Sequence, residues 1–280
     1  MSFVLAALLL VGGDPTAGKG GPRLRWAKSF EEAHKKARGS HKAIMVDFWA
    51  PWCAWCHRLD RTTYVDPEVV RLAEDFVTVK VNTDGDPREA AVALRYDVTS
   101  IPTIAFISPE GHMILRIGGY QGPWQFPATL ETARATAAKV MDWETSLDKN
   151  PDDAEALLLL GAHLFEEEDY LESRELLAHA AHVDGRRPAA YRKQTRLLLA
   201  VLLKTYDQKF TEAEALLKEA LTIRPPGEYD PKILYVLGKT YLSWGRKLEA
   251  RAAFQEIVTD HADSPVAEKA RETLVAMDRR

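Results

Sequence analysis

Cys53 and Cys56 are the only cysteines in a chain of 280 residues, and they stand three positions apart with His57 directly behind them in VDFWAPWCAWCHRL. That spacing serves several chemistries: a redox-active dithiol, the CxxCH pattern for haem c attachment, ligands for zinc or copper, or a plain crosslink. A crosslink closing so short a loop constrains little of the unfolded chain, so stability is a poor reason for the pair. A closed metal site wants four ligands, and the sequence offers no second pair. Haem attachment calls for a mostly helical pocket, whereas here the cysteines follow Ile44 to Ala50, a short apolar run rich in β-formers. That context favours the dithiol.

The sequence places Cys53 just after that strand and opens a helix at Ala54. Unpaired amide N–H groups and the helix dipole favour negative charge at such a junction and lower the pKa of the first thiol. The thiolate is the form that attacks a disulfide. Cys53 is therefore expected to attack, and Cys56, one turn further in and more buried, to resolve the mixed disulfide.

The elements that must hold this junction are legible on either side. Ser29-Phe30-Glu31-Glu32 has capping-box spacing and predicts a helix to about Arg38. Further strands are expected over Phe76 to Asn82 and Thr103 to Ser108, and Pro109-Glu110-Gly111 turns the chain into His112 to Ile117 as a hairpin. Helices are expected around Asp66 to Glu74, Pro87 to Tyr96 and Pro127 to Leu147. Interleaved helices and strands with one terminal hairpin predict an α/β fold with a mixed sheet flanked by helices.

VDFWAPWCAWC resembles the active-site strand and turn of thioredoxin, and the likeness extends over about 120 residues. It implies that Asp47 is the buried carboxylate that helps move the proton of the resolving thiol, and that Lys80 in VKVNTD is the lysine beside it. Ser100-Ile101-Pro102-Thr103 is similar to the family's cis-proline loop, which implies that Ile101 and Pro102 offer backbone to an extended substrate peptide. Trp52 and Trp55 flank the thiols as a hydrophobic lip for substrate, while Trp49 is expected to pack inside the domain. The run Thr63 to Val69 after the WCxxC helix is similar to the C-terminal domain of the periplasmic thiol-disulfide interchange reductase. Two departures stand out: Ala54-Trp55 replaces Gly-Pro between the cysteines, and Arg58, Asp60 and Arg61 occupy a helix that lacks the family's kinking proline.

After Asn150 strand signals stop and the pattern is helical throughout. Aligning Gly161 with Gly238 superposes Leu157, Leu160 and Leu164 on Leu234, Leu237 and Tyr241, and brings Ser173 and Leu177 onto Ala250 and Phe254. Phe210, Ala213, Leu217, Ala220 and Pro225 supply an intermediate copy. This resembles the tetratricopeptide repeat, with about three copies starting near Ala154, Gln194 and Pro231, extra residues at Gly185 to Tyr191, and a capping helix over Ser264 to Met277. Small residues would let paired helices approach and large ones fill the space between pairs. His179 and His182 share a helix face without an evident carboxylate partner, and the acidic run Glu166 to Asp169 reads as a solvated helix end.

Three segments are thus expected: a signal-like or anchor segment over 1–20, a thioredoxin-like domain over 21–147 and an all-α repeat domain over 150–280. Phe3 to Val11 is apolar and followed by small residues, as in an exported chain, although no Lys or Arg precedes it. The expected location is periplasmic or otherwise extracytoplasmic, with the cytoplasm as the alternative and membrane contact only if the segment stays as an anchor. A net charge of -4 with scattered Lys and Arg leaves no basic field for nucleic acid. The function expected is thiol-disulfide exchange on protein substrates with no cofactor and no metal, electrons passing to or from another dithiol protein while the repeats hold a partner or client. The alternative is a non-catalytic docking protein built from the same two parts.

Overall fold

The computed structural model describes residues 23–279. The 1–20 segment expected to be signal-like lies outside them.

Five strands form one mixed sheet, in which four run the same way and the fourth in chain order runs against them. In chain order they are β1 (Trp26–Ala27), β2 (Ile44–Trp49), β3 (Val77–Asn82), β4 (Thr103–Ile107) and β5 (Met113–Gly118), arranged β1-β3-β2-β4-β5. β2 sits at the centre, parallel to β3 and antiparallel to β4. Ile44 to Phe48 and all of β4 are buried, as strands covered on both faces must be. The covering helices are α1 (Phe30–Ser40), α2 (Ala54–Thr62), α3 (Pro67–Ala73), α4 (Pro87–Arg95) and the long α5 (Phe126–Lys149). Their starts follow local chemistry. Ser29, Asp66 and Asp86 cap α1, α3 and α4 by accepting from backbone N–H groups of the first turn, and Pro67 and Pro87 take the helix positions where a missing N–H costs nothing. At α1 the reciprocal bond runs from Lys28 N–H to Glu32, one residue ahead of the cap.

Seven helices follow: α6 (Ala154–Glu166), α7 (Tyr170–Val183), α8 (Ala189–Thr205), α9 (Phe210–Thr222), α10 (Asp230–Ser243), α11 (Lys247–Asp260) and α12 (Ala267–Asp278). α6 packs on α7, α8 on α9 and α10 on α11, and each pair meets the next. The glycine alignment has a steric basis. A Cβ on Gly161 would lie 3.0 Å from Leu177, and one on Gly238 would lie 2.7 Å from the Phe254 ring. The extra residues between the first copies do not form a separate linker, because α8 already begins at Ala189. Buried charges are paired: Arg196 donates to Asp184 and Glu219, and Lys193 to Asp230 and the Pro225 carbonyl.

The first helical pair is built onto the sheet. Leu160 and Leu164 of α6 belong to the same apolar core as Phe126 and Val140 of α5. Glu167, expected to be a solvated helix end, instead accepts from the Arg116 N–H on the outer edge of β5 at 3.0 Å, satisfying an edge strand that would otherwise be open. His179 likewise gains a carboxylate, Asp152, at 2.8 Å.

Candidate active site

β2 carries the chain to Ala50, Pro51 and Trp52 turn it, and Cys53 becomes the N-cap of α2. Cys53 and Cys56 are joined by a disulfide. The two sulfurs differ in surroundings, since Cys53 keeps 4% of its surface and Cys56 none. Cys53 Sγ also accepts the Cys56 N–H at 3.1 Å, so the helix N-terminus points a donor at the outer sulfur. His57 closes the turn from behind, its Nε2 2.8 Å from the Pro51 carbonyl, a geometry that requires Nε2 to be the protonated nitrogen.

Asp47 is fully buried on β2 and faces Lys80 as its register partner on β3. Lys80 Nζ lies 3.2 Å from Asp47 Oδ2 and 2.5 Å from Asp60 Oδ1. Neither Asp47 oxygen accepts a well-aligned hydrogen bond, and the Tyr64 hydroxyl beside it is buried and equally unpaired. Burial pushes Asp47 up to about 6 against the pull of Lys80. Trp26, Trp49 and Tyr64 set their rings within 5.8 Å of the Lys80 nitrogen. Asp60 follows Cys56 by one helical turn on the same face of α2, which ties this charged group to the resolving sulfur.

The Ile101–Pro102 peptide is cis. Phe48 pairs with Thr103, so Pro102 lies beside the end of β2 where the chain turns towards Cys53. Pro102 is buried, Ile101 partly so, and the Pro102 carbonyl accepts the Gly119 N–H at 2.8 Å. Trp52 is 70% exposed and its indole donates to Asp84 at 2.6 Å, while Trp55 is 53% exposed and leans on Tyr120.

All eight residues singled out in the sequence therefore come from the β2–α2 junction, the facing residue of β3 and the loop before β4. Sequence reading missed Tyr64, Asp84 and Tyr120, and it noted Asp60 as a charge on α2 without its contact to Lys80. Only Asp60 had a local signal, its four-residue spacing from Cys56.

A mixed sheet with a disulfide at the strand-to-helix junction and a cis-proline loop beside it defines a thioredoxin-like domain, and the thioredoxin-like domain family model matches residues 30–134. Among full-length relatives the chain is similar to the thiol:disulfide interchange protein DsbD of Tatumella citrea, 34% identical over 97 residues, which is 34% of this chain and 17% of that protein. It is also similar to the protein of that name from Escherichia coli K12, 29% identical over 111 residues, covering 39% of this chain and 19% of that one. The chain thus spans less than a fifth of the length of these relatives. Among solved structures, the oxidised C-terminal domain of DsbD from Neisseria meningitidis matches 37% of this chain and 91% of its own at 23% identity, with a TM-score of 0.33. No group of three or more His, Cys, Asp or Glu poised to hold a metal occurs among the described residues, and no helix among them is long and apolar enough to cross a membrane.

Proposed function

We propose that this protein exchanges thiols and disulfides with protein substrates through Cys53 and Cys56. The observation that carries the reading is the asymmetry of the disulfide: Cys53 Sγ stands at a helix N-terminus accepting an N–H, and Cys56 is sealed behind it. In the reducing direction the Cys53 thiolate attacks a substrate disulfide, forms a mixed disulfide and expels one substrate thiolate. Cys56 then loses its proton, its sulfur attacks Cys53 Sγ, and the second substrate thiolate leaves as the Cys53–Cys56 bond forms. The reverse sequence oxidises a substrate dithiol. No cofactor takes part, since the electron pair passes to or from another dithiol protein.

Asp47 accepts the Cys56 proton, with Lys80 holding the resulting charge in place. An acceptor near pH 6 suits work at neutral pH. Ile101 and Pro102 hold the substrate backbone, and Trp52 and Trp55 form the rim. The thioredoxin-like domain runs over 21–147 and a tetratricopeptide-repeat domain over 150–280, the latter supported by the recurrent glycine contacts and serial pairing of α6 to α12. These repeats hold a protein partner and raise its concentration near Cys53. The apolar run Phe3 to Val11 supports a periplasmic or other extracytoplasmic location.

The test is trapping in the full chain. Cys56→Ser should accumulate mixed disulfides through Cys53, and Cys53→Ser should accumulate none. An empty trap under oxidising growth would reduce the protein to a docking module.

A further inference from the structure

Arg58 projects from α2 half a turn past Cys56 and is exposed, yet it is held in place. Its guanidinium carbon lies 5.2 Å from the centre of the Trp55 ring and 4.9 Å from that of Tyr120, and those rings are 5.5 Å apart. Tyr120 is fixed in turn by the Thr62 hydroxyl at 3.1 Å. The aromatic surface continues beyond it. Trp124, 80% exposed, and the Tyr120 hydroxyl both flank Gly122, where an added Cβ would meet them at 3.1 and 3.6 Å.

A guanidinium carries five N–H donors, so contact with the two rings and the Tyr120 hydroxyl leaves others for a planar, bidentate acceptor. Among the described residues Arg58 pairs with no carboxylate. Neighbouring acids are already engaged, Asp60 by Lys80 and Asp84 by the Trp52 indole. The patch begins at exposed Trp55, between the two cysteines on the first turn of α2, which sets it next to the disulfide.

Resting on the exchange reaction proposed above, we infer that Arg58, held against the rings of Trp55 and Tyr120, selects polypeptide substrates that carry an Asp or Glu close to the reacting cysteine. The carboxylate takes the guanidinium edge, and an apolar neighbour covers the exposed rings of Trp55 and Trp124. The chain as a whole bears a net charge of -4, so its overall field repels acidic substrates. A preference for them must come from this short-range contact.

Three peptides of one sequence, each with an internal disulfide flanked by Glu, Gln or Lys, serve as probes for the reduced full-length chain. The wild type should reduce the Glu peptide on the order of tenfold faster than the Lys peptide at low salt, with the ratio shrinking as salt rises. Arg58→Gln should bring the ratio to about one, and Arg58→Glu should invert it. Arg58→Lys, which keeps the charge and loses the planar edge, should fall between wild type and Arg58→Gln. Equal Glu and Lys rates in the wild type, or an unchanged ratio in Arg58→Gln, would overturn the inference and leave the exchange reaction standing. Failure of the reduced wild type to reduce any of the three peptides, together with failure of its disulfide form to oxidise their dithiol forms, would overturn both.

Discussion

Asp47 and Lys80 are register partners on β2 and β3, yet the lysine gives its shorter contact to Asp60, 2.5 Å against 3.2 Å. A fully buried carboxylate therefore shares its counter-charge with a partly exposed one. Burial prevails, and Asp47 is pushed up to about 6 from an ordinary value of 3.8. The folded protein then holds the proton more tightly than the unfolded chain. The stability this group contributes is fully present below about pH 4 and is lost as pH rises through about 6. Asp47→Asn should remove that loss, raising stability by roughly 1–3 kcal/mol at pH 8 and by little at pH 4. The same change should slow disulfide exchange at neutral pH on the order of a hundredfold, since the proton acceptor is gone. Urea unfolding at the two pH values checks the first outcome, and an equal effect at both would show that charge burial is not what sets Asp47.

Asp60 acts on Asp47 by two routes, repelling its charge directly and drawing Lys80 away. Both raise the Asp47 pKa. Asp60→Asn should accordingly lower it and shift the acidic limb of the exchange-rate profile to lower pH. Carboxyl NMR titration of Asp47 reads this directly. A titration that stays in place would mean that Lys80 already serves Asp47 fully.

Most elements of the sheet domain were readable because each has a local cause. The strands fall within a residue or two of their apolar runs, and three helices start at side-chain caps the sequence displays. β1 escaped because Trp26 and Ala27 are too short to show a period and exist as a strand only by pairing with β3. The dithiol, Asp47, Lys80 and Pro102 were legible through a family likeness. Tyr64 and Tyr120 join the site through ring contacts between distant segments, for which no spacing rule exists. Glu167 was misread for the same reason, since only the docked edge of β5 gives it a partner.

His112 is a second group of this long-range kind. It leaves the β4–β5 turn to meet Glu144 of α5 at 2.6 Å through Nδ1 and Glu172 of α7 at 3.1 Å through Nε2, with Ser108 also bonded to Glu144. Burial opposes its charge, but the two carboxylates outweigh it and push His112 up to about 9. The ordinary histidine value is about 6.5. A raised histidine stabilises fully below that value, and the contribution is lost as pH rises through about 9. The melting temperature should therefore fall between about pH 7 and pH 10, by an amount on the order of 1–3 kcal/mol in stability. His112→Gln should melt lower at pH 7 and lose this slope. Parallel slopes in calorimetry would assign the pH dependence to other groups.

Gly161 and Gly238 occupy equivalent places in two helical pairs, and the structure separates what alanine would do at each. In an open helix, Gly to Ala gains about 1 kcal/mol. At Gly161 the new methyl meets Leu177 Cγ at 3.0 Å, an approach that shifts of a few tenths of an ångström relieve, so the gain and the crowding should nearly cancel. At Gly238 it meets two atoms of the Phe254 ring at 2.7 Å. That ring is fully buried and packed edge-on against Tyr235, so it cannot swing clear. Gly238→Ala should then destabilise by roughly 1–3 kcal/mol despite its better helix propensity. Adding Phe254→Leu, which clears the ring from the new methyl, should recover part of that loss, whereas Phe254→Leu alone should be destabilising. Thermal unfolding of the four variants tests the coupling. Additive effects of the two changes would mean that α10 and α11 are not held at their separation by this contact.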